Sequence, residues 1–244
     1  MSAALAFDHV DVRFPIFYAH ERSLKRSLGG REGGSQHRAA ALNDLSFSLA
    51  PGSRHAVLGG NAAGKTTLLR VAAGLLQPIK GQVQRCGPAF AVLNLGLGLD
   101  PDFSARNTAI GHALLAGHDL RESRRRAERA LDFGGLEDDI AAAPLKLLGP
   151  GQRLRLGAGI AAALDTEILL FDEVLEHAGP EFLDRLVDHV RHGPPARGTV
   201  LVVERSAALL GRLCDSAMVL EGGRLNDQGE LYSVIQRHAG RYVF

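Results

Sequence analysis

Apolar positions follow two different rhythms along this chain, and the contrast predicts its architecture. Early on they alternate. Val10, Val12 and Phe14 occupy every second position within 5–14, the pattern of a half-buried strand. Leu45, Phe47 and Leu49 do the same and stop at the turn pair Pro51-Gly52. Shorter strands are expected at 55–58, around Val83 and over 89–93. Later the apolar runs become continuous, at 168–171, 200–203 and 217–220, as strands covered on both faces require. Helical spacing appears over 66–74, through Leu68, Leu69, Ala72 and Ala73, and again where Phe182, Leu183, Leu186, Val187 and Val190 share one face. Residues 104 to about 165 are helical in pattern throughout. Strand, helix, strand in that order predicts a parallel sheet with helices on both sides. Glu221-Gly222-Gly223-Arg224 then predicts a hairpin, and no internal repeat is visible.

Two stretches break the rhythm. The insert over 18–41 mixes basic residues and glycines around Ser23-Leu24-Lys25-Arg26-Ser27-Leu28. It reads either as a surface loop or as a small amphipathic helix lying on a membrane. The charge run over 121–129 spaces Glu122/Arg126 and Arg124/Glu128 at i,i+4, which suits a solvated helix face laced with ion pairs. Docking of a partner is the other reading.

Composition narrows the classes without choosing one. The chain has 244 residues, enough for one large α/β domain or two small ones. A net charge of +1 argues against a general nucleic-acid binder, so no nucleic-acid partner is expected. The two cysteines, Cys86 and Cys214, fit no metal spacing and weakly suggest a reducing compartment. No segment approaches the roughly 18 apolar residues of a membrane helix. Asp8 and Asp11 stand where a signal peptide would be basic then apolar. These features place the chain in the cytoplasm, reaching a membrane only through a partner.

The candidate chemistry starts at 57–69, VLGGNAAGKTTLL, which satisfies the phosphate-loop pattern G-x-x-x-x-G-K-[ST] from Gly59 to Thr66. A strand enters it and a helix leaves it, the context the motif needs. Gly59, Gly60 and Gly64 lack a Cβ and permit the positive φ values that let backbone N–H groups converge on an anion at a helix N-terminus. Asn61, Ala62, Ala63 and Thr67 complete the candidate nucleotide-binding set. Lys65 would reach the β- and γ-phosphates, and the Thr66 hydroxyl would sit on Mg²⁺. Only four of the 28 basic residues are lysines, so a lysine here is not background.

The loop alone allows a kinase, a small GTPase or a transport ATPase. EILLFDEV, residues 167–174, decides more: a buried strand ending in Asp172-Glu173. Asp172 would complete the metal site beside Thr66, and Glu173 could polarise the attacking water.

At this point the chain resembles the nucleotide-binding subunits of ATP-binding cassette transporters, and more narrowly those that drive export of O-antigen, capsular polysaccharide and teichoic acid. The residues that carry the likeness include FPIFYAHERSLKRSL, ALNDLSFSLAPG, LLRVAAGLLQPIKGQV and LNLGLGLDPDFSARN. The block RLRLGAGIAAALDTEILLFDEVL and the segment CDSAMVLEGGRLNDQG extend it nearly to the end. The resemblance implies an α/β P-loop NTPase core with a mostly parallel sheet, an N-terminal antiparallel β-subdomain and a helical subdomain. It implies one nucleotide-binding domain over 1–244, with 1–99 and 166–244 forming the core and β-subdomain and 100–165 the helical part. ATP and Mg²⁺ would be its cofactors. Its partners would be a membrane-spanning permease and a second nucleotide-binding subunit, as a homodimer or a heterodimer. The chain would sit on the inner face of the cell membrane. Phe14, or alternatively Tyr18, would stack on adenine. Similar proteins with a C-terminal carbohydrate-binding domain are longer, so this chain is expected to lack one. The 18–41 insert matches where such exporters carry a short helix near the substrate's entry.

Departures from the family pattern fall at four elements. The signature loop reads Leu148-Gly149-Pro150-Gly151-Gln152, so Gly149 supplies no hydroxyl and Pro150 no N–H. The loop aspartate falls on Gly179, the switch histidine on Arg205 and the inter-subdomain glutamine on Asn94. Arg205 could stabilise γ-phosphate charge in cis, or hold nucleotide and slow release. Three readings follow: an ATPase driving a glycan exporter, a hydrolysis-impaired subunit paired with an intact one, or a phosphate-loop protein outside transport such as a kinase.

Overall fold

The unbroken apolar runs are explained by burial on both faces. The structure, a computed structural model, describes residues 3–15, 38–93 and 97–241. Six strands form one sheet: β3 (Ser53–Leu58), β5 (Ala89–Val92), β6 (Ile168–Asp172), β7 (Thr199–Val203), β8 (Ser216–Glu221) and β9 (Arg224–Glu230). Their order is β5-β6-β7-β3-β8-β9, parallel except for β9, which closes the hairpin with β8 by pairing Arg224 with Glu221. Ile168 and Leu170 face a core shared with α1 (Lys65–Ala72), whereas Leu169 and Phe171 face α6 (Pro180–His192), α7 (Ala207–Leu213) and α8 (Leu231–Arg237). Each such side chain contributes about 1.5–3 kcal/mol by leaving water.

Outside this sheet lies a smaller antiparallel one, β2-β1-β4, made of β1 (Leu5–Pro15), β2 (Arg38–Leu49) and β4 (Lys80–Arg85). It packs Leu5, Phe7, Leu45 and Phe47 against the α1 side of the central sheet. Two expectations are corrected here. Val10 and Val12 are buried as expected, but Phe14, beyond register shifts between Phe7 and Arg13, is 40% exposed. The insert also ends earlier than its composition suggests, since 38–41 belong to β2, with Ala39 opposite Phe14 and Ala40 opposite Arg13. Three alanines in a row carry no alternation to read. The membrane-helix reading, Tyr18 and the pair Leu24/Leu28 lie outside the described residues.

The helices α2 (Ala105–Leu115), α3 (Leu120–Gly134), α4 (Asp138–Ala142) and α5 (Pro150–Ala163) surround a third core containing Leu131, Leu156 and Ile160. Local chemistry sets their limits. Ser104 and Asp119 cap α2 and α3 by accepting the Asn107 and Glu122 N–H groups, and Gly135 ends α3 in the left-handed conformation. The charge run on α3 is less solvated than its composition implies. Arg126 does pair with Glu122 at 2.8 Å, but it also reaches Asp165 at 3.0 Å and so pins α3 to the end of α5. Glu128 pairs across to Arg106 at 2.9 Å, on α2, rather than with Arg124.

Candidate functional site

β3 delivers the chain into the phosphate loop, and α1 begins at Lys65. The turn between them is tight. Gly59 has φ +144° and Gly64 φ +104°, while the third positive φ falls on Ala62 (+60°) and not on Gly60 as expected. An alanine there is strained by a small amount, and the enclosing turn must hold it. Gly64 stands at the N-terminus of α1 with no side-chain cap, so the first-turn N–H groups are open to an anion. The loop is braced from behind: Gly223 N–H donates to the Ala63 carbonyl at 3.0 Å, which seats the β8–β9 hairpin against it. A Cβ added at Gly64 would lie 2.4 Å from the Ala41 carbonyl oxygen. Gly64→Ala is therefore expected to cost on the order of 2–3 kcal/mol and to lower the melting temperature by roughly 5–10 °C. A melting curve superimposable on that of the unaltered protein would contradict the tightness of this turn.

Lys65 Nζ donates to the carbonyls of Gly59 at 2.8 Å and Gly60 at 3.0 Å, curling over the loop it belongs to. Burial lowers its pKa, with the nearby charges of Glu173 and Asp172 opposing the shift. Asp172 ends β6, beside Val203 of β7. Its carboxylate accepts a hydrogen bond from the Thr66 side chain, and burial raises its pKa against that bond and the Lys65 charge. Two oxygen-bearing side chains are thus in contact on adjoining elements. Such a pair fits Mg²⁺, which prefers oxygen, keeps several waters and uses one or two carboxylates plus substrate phosphates. Among the described residues no group of three or more His, Cys, Asp or Glu side chains could hold a metal by itself.

Glu173 takes φ +51°, its N–H donates to the Val203 carbonyl at 2.8 Å, and its carboxylate lies 3.4 Å from an Arg205 nitrogen. Both side chains are substantially exposed, 41% and 66%, so this ion pair contributes little stability. Phe14, Asn61, Ala62, Ala63, Gly64, Lys65, Thr66 and Thr67 line one cavity of about 570 Å³ with Asp172, Glu173 and Arg205. Gly59 and Gly60 line an adjoining cavity of about 270 Å³ that shares Lys65, Glu173 and Arg205 with the first. Asn94 lies outside the described residues.

The signature-loop residues are not brought to this site within one chain. Gly149, Pro150, Gly151 and Gln152 line a different cavity, of about 510 Å³, together with Gly179. Gly149 is the N-cap of α5, Pro150 its first residue, and the Gln152 side chain accepts the Gly149 N–H at 2.8 Å. Leu148 is buried beneath them. Two residues missed in the sequence stand at the phosphate loop. Arg241, paired with Glu221 at 3.2 Å, lines the smaller cavity, and so does the buried Glu204. The second had a signal: like Asp172, it is an acid directly after an apolar strand.

Comparisons with known proteins match most of the chain. The ABC transporter family matches residues 42–176. The ABC transporter protein AbcA of Aeromonas salmonicida is 30% identical over 96% of this chain and 75% of its own. The O-antigen export system ATP-binding protein RfbE of Yersinia enterocolitica is 29% identical over 92% of this chain and 97% of its own. Among solved structures, the dimeric ATP-binding cassette MJ0796 in a post-hydrolysis state with ADP and Pi is similar in fold. It superposes with a TM-score of 0.73 at 18% identity, over 93% of this chain and 98% of that one. With the phosphate loop, the acidic strand end and most of the chain accounted for in this way, the protein belongs to the ABC transporter family.

Proposed function

We propose that the chain is the ATP-binding and ATP-hydrolysing subunit of an exporter of cell-surface polysaccharide or a lipid-linked glycan. The observation that carries the reading is the convergence of Lys65, the Thr66–Asp172 pair and Glu173 on one cavity at the start of α1. The substrate class follows from relatives whose names are O-antigen and teichoic acid export ATP-binding proteins. The reading takes 1–244 as one nucleotide-binding domain, with 100–165 as its helical part. No described helix is long and apolar enough to cross a membrane, and the proposed partner is a membrane-spanning permease subunit.

Within the site, the open N–H groups of the loop and the Lys65 ammonium bind the triphosphate, and Phe14 at the rim stacks on the base. Thr66 and Asp172 would hold Mg²⁺, whose charge would offset that of the bound triphosphate. Glu173 accepts a proton from the attacking water, and Arg205 lies where it can meet charge on the γ-phosphate. Leu148–Gln152 of a second subunit completes each site across a dimer. One observation favours a slower enzyme: Gly149 and Pro150 leave the start of α5 without a hydroxyl or an N1 donor.

The binding half of the reading is tested by melting the full chain with Mg²⁺ and ATP. Ligand at a hundred times Kd should stabilise it by about 2.7 kcal/mol. Lys65→Ala should remove that increment while leaving the ligand-free curve in place, because the lysine donates only to loop carbonyls. No increment in the unaltered chain would overturn the assignment.

A further inference from the structure

Among the described residues only Glu204 and Asp11 are buried carboxylates. Glu204 is 7% exposed and follows β7 directly, between Val203 and Arg205. Its Oε2 accepts the Leu175 N–H at 3.2 Å and its Oε1 accepts the Arg205 N–H at 2.8 Å. Burial raises its pKa, the two N–H bonds oppose that, and the charges of Glu176 and Glu173 add to it. A buried carboxylate is costly unless it is hydrogen-bonded, and these two N–H donors supply those bonds.

What they hold is a strained turn. Glu173 has φ +51°, a conformation that a non-glycine residue keeps only when its surroundings over-determine it. Two tethers do this. The Glu173 N–H is bound to the Val203 carbonyl at 2.8 Å, and two residues on the Leu175 N–H is bound to the Glu204 carboxylate. The Arg205–Glu173 contact cannot serve instead, since it is 3.4 Å long and exposed on both sides.

We propose that Glu204 is a positioning residue, whose carboxylate staples the turn carrying Glu173 to the backbone of Arg205. Base and cation are thereby held at a fixed separation beside the phosphate loop. The inference rests on the reading of Glu173 as the base. It does not need Glu204 to touch nucleotide, because both of its oxygens are already engaged by backbone donors.

The test pairs steady-state ATP hydrolysis by the full chain with amide exchange of the ligand-free protein. Glu204→Ala should lower kcat by about 10–100-fold, the usual effect of removing a group that orients a reacting one, with KM for ATP nearly unchanged. Glu204→Gln keeps the shape and one oxygen acceptor and should recover part of the loss. Placed on Glu173→Gln, the alanine change should cost nothing further, since its effect passes through Glu173. The Leu175 and Arg205 amides should exchange faster in Glu204→Ala, while those of β6 and β7 stay protected. Full activity of Glu204→Ala beside an inactive Glu173→Gln would overturn the positioning role and leave the base assignment standing. An unaltered rate in Glu173→Gln would instead overturn the base assignment. In that case unchanged exchange at Leu175 and Arg205 would overturn the staple as well.

Discussion

Glu173→Gln is expected to reduce the turnover of ATP by about 10²–10⁴, the range that a positioned general base contributes. Nucleotide affinity should be nearly unaffected, since the amide fills the same space and the loop groups that grip the phosphates are untouched. The result would be a protein that holds ATP and a dimer that stays closed on it, read as a nucleotide-bound dimer on size exclusion. The geometry makes the substitution a clean one. Glu173 is half exposed, its side-chain partner among the described residues is Arg205 at 3.4 Å, and its backbone is fixed through Val203 rather than through its carboxylate. Folding should therefore survive and the loss should appear in kcat. Were the rate unchanged, the base would have to be sought elsewhere, and Glu204 is a poor substitute because backbone donors occupy both of its oxygens.

The elements around this site were legible to different degrees, for physical reasons. The strands at 168–172 and 199–203 could be read because a strand buried on both faces needs an unbroken apolar run. The phosphate loop could be read because its backbone tolerates few residues, and Gly64, where an added Cβ would lie 2.4 Å from the Ala41 carbonyl oxygen, shows why. Ala62 at positive φ could not, since nothing in an alanine announces that conformation. The start of β2 was hidden for a similar reason: Ala39, Ala40 and Ala41 form a strand through pairing with β1, a long-range partner that local pattern does not contain. The same limit applies to ion pairs. The i,i+4 rule found Glu122 with Arg126, but Glu128 turned to Arg106 on a neighbouring helix, 22 positions away in sequence. Glu204 was masked by its neighbour Arg205, whose departure from the family pattern drew the reading; its burial is a property of the fold.

Restoring Gly149→Ser and Arg205→His together is expected to raise turnover by about 10²-fold. Removal of one transition-state donor usually costs about 10²–10³, and the resemblance implies a hydroxyl at 149 and an imidazole at 205. Neither change should disturb the fold, so the gain would report on chemistry. Gly149 has φ −67° and ψ 162°, ordinary for an N-cap, and a Cβ there meets only the flexible end of Gln152 at 3.7 Å. Serine is a preferred N-cap residue and costs nothing relative to glycine. Arg205 is 66% exposed, and its loss removes one weak contact to Glu173. The single variants separate two causes. If Arg205→His alone lowers the rate, the arginine is compensating in cis for the missing histidine, and the benefit of the double variant comes from the hydroxyl at 149. If it raises the rate, the fixed cation was holding nucleotide or competing for Glu173. Turnover that stays flat in all three variants would mean that the altered motifs do not limit this subunit, and the slow step would lie in closure against its partners.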